Sequence, residues 1–268
     1  MTAVLGTRLY VANGDVDAAF LISDLHVPQG GGSAFVQMTH AIAAARAARA
    51  SLFVLGDLFD SYVCKAQVRQ GVWRDVAAAF AEAAAVGVRI TVLHGNRDFL
   101  LGPEFEAASG ARVLAGGWRG RLGGIDTLLL HGDELCVNDL PYQRAKRWLR
   151  NPLVKAIARR LPLRVALAVA ARARARSGMV IRSGDQSRFL PTTAAIASAM
   201  AVGVPRLVFG HIHRFAHGVA AGGEYWVLPA FDASAVGLRC LAGVCEPVHF
   251  GAGSCDAIAA PAPSAFPT

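Results

Sequence analysis

Five short apolar runs in this chain end in the same way, breaking within a few residues into aspartate, asparagine or histidine. They read FLISDLH (20–26), LFVLGD (52–57), ITVLHGNRD (90–98), LLLHGD (128–133) and LVFGHIH (207–213). Apolar runs this short are strand-length, and Ala-rich stretches of helical length separate them. The pattern predicts strands at 19–23, 52–55, 89–93, 125–130 and 206–209. It predicts helices at 33–50, 67–86, 142–161, 163–176 and 192–202. After Phe209 the pattern turns strand-rich, at 218–219, 225–228, 237–241 and 244–250, and the small-residue, Pro-rich stretch 251–268 reads as a disordered tail. The fold class is α/β, with 1–138 and 186–250 forming the core and a helical insertion over 139–185.

In sheets of this kind the loops at the carboxyl ends of the strands converge on one crevice. Residues two apart in an extended segment share a face, so Asp24 with His26 and His211 with His213 can each serve one site. Together with Asp57, Asn96 and His131 they make seven candidate ligands. Carboxylate, carboxamide and imidazole in one set suit Mn²⁺, Fe²⁺ or Zn²⁺ and disfavour a thiolate site. Seven ligands exceed one tetrahedral ion, which implies two metals with a bridging carboxylate. Such a pair, roughly 3.5–4 Å apart, is a general clamp for in-line displacement at phosphorus.

Charge is distributed unevenly. The chain carries a net +8, yet the stretch between Asp139 and Asp185 holds twelve lysines and arginines and no acid. The remaining fifteen basic residues face nineteen acidic ones, so the excess belongs to the insertion. A one-sign block of this kind points to an anionic partner: nucleic acid, a membrane surface or an anionic substrate. A catalytically silent nucleic-acid module is one reading, but Trp148 and Tyr142 are the only aromatics there and give little base-stacking capacity. Within the block, Leu149, Leu153, Val154, Ile157 and Leu161 recur at helical spacing. With Leu163, Val165, Leu167 and Val169 they either line an acyl groove or pack the insertion onto the core.

With 54% hydrophobic and 17% charged residues the chain reads as globular. No apolar run reaches the roughly 18 residues that a membrane span needs. The start of the chain lacks a secretory pattern. The five cysteines (64, 136, 240, 245 and 255) form no CxxC pair and read as free thiols of a cytoplasmic protein.

The ordered set DxH, GDxxD (57–60), GNxD, H and GHxH resembles the calcineurin-like metallophosphoesterase superfamily. That resemblance implies a β-sandwich flanked by helices. It also implies one metal on Asp24, His26, Asp57 and His213 and a second on Asp57, Asn96, His131 and His211. Asp60 and Asp98 would orient ligands, and Asp133 would shape its loop. Many relatives have histidine after the asparagine, as proton donor to the leaving group. Here the residue is Arg97, which cannot give up its proton but can grip a phosphate oxygen. A leaving group that is itself a phosphate needs no such proton, so the expected reaction is cleavage of a diphosphate, with Asp57, Asn96, Arg97 and His131 as the catalytic set.

A narrower resemblance rests on HGNRDFLLG (94–102), HGDELCVNDLPYQ (131–143), LGDLFD (55–60) and GHIHR (210–214). These are similar to the bacterial UDP-2,3-diacylglucosamine pyrophosphohydrolases of lipid A synthesis. The resemblance implies Mn²⁺-dependent release of UMP and 2,3-diacylglucosamine 1-phosphate at the inner membrane surface. Arg97, Asp139, Tyr142, Arg174, Ser177 and Arg182 would contact the substrate. A related phosphoesterase acting on another nucleotide diphosphate or a phosphodiester is the alternative.

Overall fold

The computed structural model describes residues 3–183 and 186–267, the side chains of 174–183 and 186 excepted. Its strands are β1 (Ala3–Val4), β2 (Thr7–Val16), β3 (Ala18–Ile22), β4 (Ser51–Val54), β5 (Ile90–Leu93), β6 (Arg112–Leu114), β7 (Gly117–Leu122), β8 (Ile125–Leu129), β9 (Arg206–Phe209), β10 (Ala216–Ala220), β11 (Gly223–Val227), β12 (Val236–Leu241), β13 (Val244–Gly251) and β14 (Ser254–Ala257). The helices are α1 (Gly32–Ala47), α2 (Gly71–Ala85), α3 (Pro103–Ser109), α4 (Leu140–Leu149), α5 (Pro152–Arg160), α6 (Leu163–Ser183), α7 (Thr193–Met200) and α8 (Phe231–Ser234).

Two seven-stranded sheets stack face to face, one in the order β14-β13-β12-β3-β4-β5-β6 and the other β1-β2-β7-β8-β9-β11-β10. Between them lies an apolar layer that includes Leu21, Phe53, Leu93, Trp118, Leu129, Val208 and Leu238. Helices α1, α2 and α3 cover the outer face of the first sheet through Met38, Trp73, Phe80 and Phe105. Helix α7 covers the second through Ile196 and Met200. Strands buried on both faces read as unbroken apolar runs, which is why β3, β4 and β9 were legible in sequence. β3, β4 and β5 run parallel, as do β8 and β9. Each of these five strands therefore delivers its carboxyl end to one edge of the sandwich.

Several expectations are corrected. The helix predicted over 142–161 is two helices, because Pro152 cannot continue α4 and instead opens α5, capped by the Asn151 side chain (2.9 Å to Leu153 N–H). Residues 251–267 are ordered: β14 pairs with β13, and Phe266 is buried beside α7. The cysteines are not all free, since Cys240 and Cys245 are register partners across β12 and β13 and are disulfide-bonded. Strands β1, β2, β6 and β7 were unforeseen. β2 is mostly exposed, with no two-residue alternation to betray it.

Candidate metal centre

The seven candidate ligands gather just beyond the carboxyl ends of β3, β4, β5, β8 and β9. Five of them, Asp24, His26, Asp57, His211 and His213, have positive φ angles between 44° and 72°. That region disfavours ordinary side chains, so the surrounding structure must hold it in place, as it does at binding sites. Gly95 is needed for close approach, because a Cβ there would sit 2.0 Å from Asp57 Oδ1.

Asp24 is fully buried. Its Oδ2 accepts from Ser23 Oγ (2.6 Å) and from the His211 backbone N–H (2.8 Å). Its Oδ1 has no hydrogen-bond partner and faces His213 Nε2 at 3.3 Å. Burial pushes its pKa up, but the close approach of the His213 ring and the charges of His131 and His213 hold it below the usual carboxylate range. Asp57 lies at the middle of the group. Its Oδ2 is 3.4 Å from His26 Nε2, 3.6 Å from Arg97 Nε and 3.9 Å from His131 Nε2.

The two inner histidines are oriented alike. His26 Nδ1 donates to the Asp24 carbonyl (3.1 Å), and His131 Nδ1 donates to the Leu55 carbonyl (2.8 Å). Each ring thereby turns its Nε2 inward, the arrangement that metal-bound histidines use. His131 Nε2 lies 3.0 Å from Asn96 Oδ1, a hydrogen bond that the protonated ring donates and that a bound cation would replace. Burial lowers the His131 pKa, but Asp57, Asp24, Asp133 and Glu134 outweigh it and raise it to about 9. Asp24, His26 and His213 form one tight group of ligand atoms; Asp24, Asp57 and His131 form another. Buried unpartnered oxygens and nitrogens of this hardness fit divalent cations. His211 stacks edge-on to His131, with ring centres 5.0 Å apart.

The remaining predicted residues have defined places. Asp98 accepts from the Gly95 N–H (2.8 Å) and the Leu58 N–H (2.7 Å), tying the GNRD loop to the GDLFD loop. Burial and the nearby Asp57 raise its pKa to about 7. Asp60 receives Arg97 at 2.6 Å, so the guanidinium is held beside the centre. Asp139 caps α4 (Tyr142 N–H, 3.3 Å), and the Tyr142 hydroxyl donates to Asp133. The side chains of Arg174, Ser177 and Arg182 lie outside the described residues.

Sequence reasoning missed the role of Asp133. This fully buried carboxylate accepts from Tyr142 and pairs with Lys146 (2.9 Å) and Arg150 (3.4 Å), two residues on one face of α4 and the residue that caps its end. The signal was present in the basic block, where Tyr142, Lys146 and Arg150 recur every fourth residue behind an HGDE motif. Lys146, Arg150 and Arg159 are only 10%, 19% and 23% exposed, so these cations turn inward. The outward face of the insertion carries Trp148, Leu153, Ile157 and Val169, each more than half exposed.

A double sheet whose strand ends converge on hard and imidazole ligands defines a metal-dependent phosphoesterase. Residues 19–215 match the family model for calcineurin-like phosphoesterases, and the chain belongs to that family. More particularly, it is 36% identical over 226 residues to a protein of Ralstonia nicotianae named UDP-2,3-diacylglucosamine hydrolase, covering 80% of this chain and 83% of the relative. Proteins of the same name from Azotobacter vinelandii and Pseudomonas fluorescens are each 37% identical, covering 72% of this chain and 80% and 78% of theirs.

Proposed function

We propose that this protein hydrolyses the diphosphate of UDP-2,3-diacylglucosamine to UMP and 2,3-diacylglucosamine 1-phosphate. The observation that carries this reading is the pair of ligand groups sharing Asp24, with Arg97 held beside them, in a chain so similar to hydrolases named for that substrate. One ion would rest on Asp24, His26, Asp57 and His213 and the other on Asp57, Asn96, His131 and His211, with Mn²⁺ the favoured metal. When bound, such ions neutralise phosphoryl charge and lower the pKa of water.

The protein's own residues supply the rest. Arg97 binds a phosphate oxygen, and Asp60 fixes its guanidinium. Asp98 joins the two loops that bear Asp57 and Asn96. Water adds to the α-phosphorus, and the bond to the β-phosphate oxygen breaks. The departing sugar phosphate leaves as an anion, so Arg97 can replace a proton donor.

The outward apolar side chains of the insertion supply a face for acyl chains or a lipid surface, and exposed cations such as Arg144 and Arg164 favour an anionic leaflet. No described helix is long and apolar enough to cross a membrane, so peripheral attachment on the inner membrane is the form proposed. Inward-turned Lys146, Arg150 and Arg159 weigh against nucleic acid as the partner. Asp139, Tyr142, Arg174, Ser177 and Arg182 remain the proposed substrate contacts of the insertion. Incubating the purified chain with Mn²⁺ and UDP-2,3-diacylglucosamine should release UMP, and chelation should stop it. Metal-dependent turnover of simple phosphodiesters but not of this substrate would sink the assignment.

A further inference from the structure

A cavity of about 1220 Å³ opens between β2, the β6–β7 turn and helices α4 and α5. None of the seven candidate ligands lines it. Eight lysines and arginines do, and no acidic residue does. Three of the eight are already paired: Lys146 with Asp133 and Glu134, Arg150 with Asp133, and Arg159 with Glu104. The other five, Arg8, Lys65, Arg147, Lys155 and Arg160, form no ion pair among the described residues. Burial, with Arg150 and Arg159 alongside, pushes Lys155 down to about 8. The cavity is open to solvent, with Arg8, Lys65, Arg147 and Arg160 exposed around it and Lys155 half-buried, so charge of one sign converges on a space that an anion can enter and complete. Leu9, Pro103 and Leu114 add apolar wall.

We propose that this cavity is a second anion site, taking a phosphorylated ligand of at least two negative charges apart from the metal centre. The proposal goes beyond the reaction above and does not depend on the identity of its substrate. Arg8 is contributed by β2, which precedes the first ligand motif, so the site depends on that strand as well as on the insertion. The two sites adjoin. His94 lines the cavity two residues before Asn96, and Arg150 donates to the Gly95 carbonyl at 3.2 Å. A ligand there would bridge the insertion to β2 and steady the loop that carries Asn96.

Pyrophosphate titrated calorimetrically into the full-length chain, with chelator present to silence the metal centre, tests this directly. Binding should persist under chelation and in Asp57→Ala. It should weaken about tenfold or more in Lys155→Met and in Arg8→Met, the scale of one charge-assisted contact. Binding that vanishes with chelation or in Asp57→Ala, or that ignores both cavity substitutions, overturns the proposal. So does a lower melting temperature for unliganded Lys155→Met, which would assign that lysine to packing. Vesicles of phosphatidic acid in phosphatidylcholine distinguish the sources: competition with pyrophosphate supports a lipid headgroup as occupant, and lack of competition supports a soluble phosphate.

Discussion

The metal centre and the helical insertion beside it are stabilised in opposite ways. Asp24, Asp57, Asp98 and His131 are at most 2% exposed and sit at the edge of two apolar sheets, where an unpartnered polar atom such as Asp24 Oδ1 is costly unless a cation completes it. Helices α4 and α5 bury no residue at all, and Ala166 is the only buried side chain described in α6. The insertion is instead tethered by polar links, chiefly Asp133 to α4 and Glu104 to α5. Where apolar burial is scarce, local opening is cheap. The candidate metal centre is thus set in a rigid frame, while the insertion, which the proposed function gives to substrate recognition, can yield around a large ligand.

The sharpest way to break this comparison is Asp57→Ala, which should cost about a thousandfold or more in kcat, since several kcal/mol of charge stabilisation go with the metals. Unchanged circular dichroism with lost metal content would confirm that the frame survives. Asp98→Ala should cost about 10–100-fold in activity or metal affinity, the usual range for a residue that orients ligands, read by metal titration and initial rates. In the insertion, Trp148→Ser with Leu153→Ser should raise KM for the acylated substrate about tenfold, as expected for lost apolar contact, while a short-chain diphosphate is turned over as before. An equal loss on both substrates would show that the insertion shapes the centre itself. Tyr142→Phe should have the smallest effect. Removing one donor from buried Asp133 costs about 1–3 kcal/mol, visible as faster amide exchange in α4 with the sheets unchanged.

The gathering of the seven candidate ligands was legible because each of them follows an apolar run of strand length that the structure buries. The GD and GH motifs then mark where polarity returns. Asp133 was not legible as a tether, since one more Gly-Asp after a strand looks like a turn. The break at Asn151–Pro152 was there to be read, but the apolar spacing of Leu149, Leu153 and Ile157 bridges it and simulates a single helix. β2 escaped notice because it pairs in parallel with β7, a partner 100 residues distant, and buries too little to alternate. Cys240 and Cys245 become adjacent only through hairpin register, which spacing alone does not report.

The end of the chain is held with unexpected care. The Thr193 N–H and hydroxyl donate to the carbonyls of Pro267 (2.8 Å) and Phe266 (2.7 Å), and the Ser264 N–H donates to the His217 carbonyl (2.9 Å). Thr193 opens α7, close to where the polypeptide returns from its basic excursion to the sheets. The final residues thus latch the exit of the excursion from outside. A reporter or purification handle joined to these last residues would load that latch, whereas one joined ahead of β1, the edge strand opposite β10 in the second sheet, would leave it undisturbed.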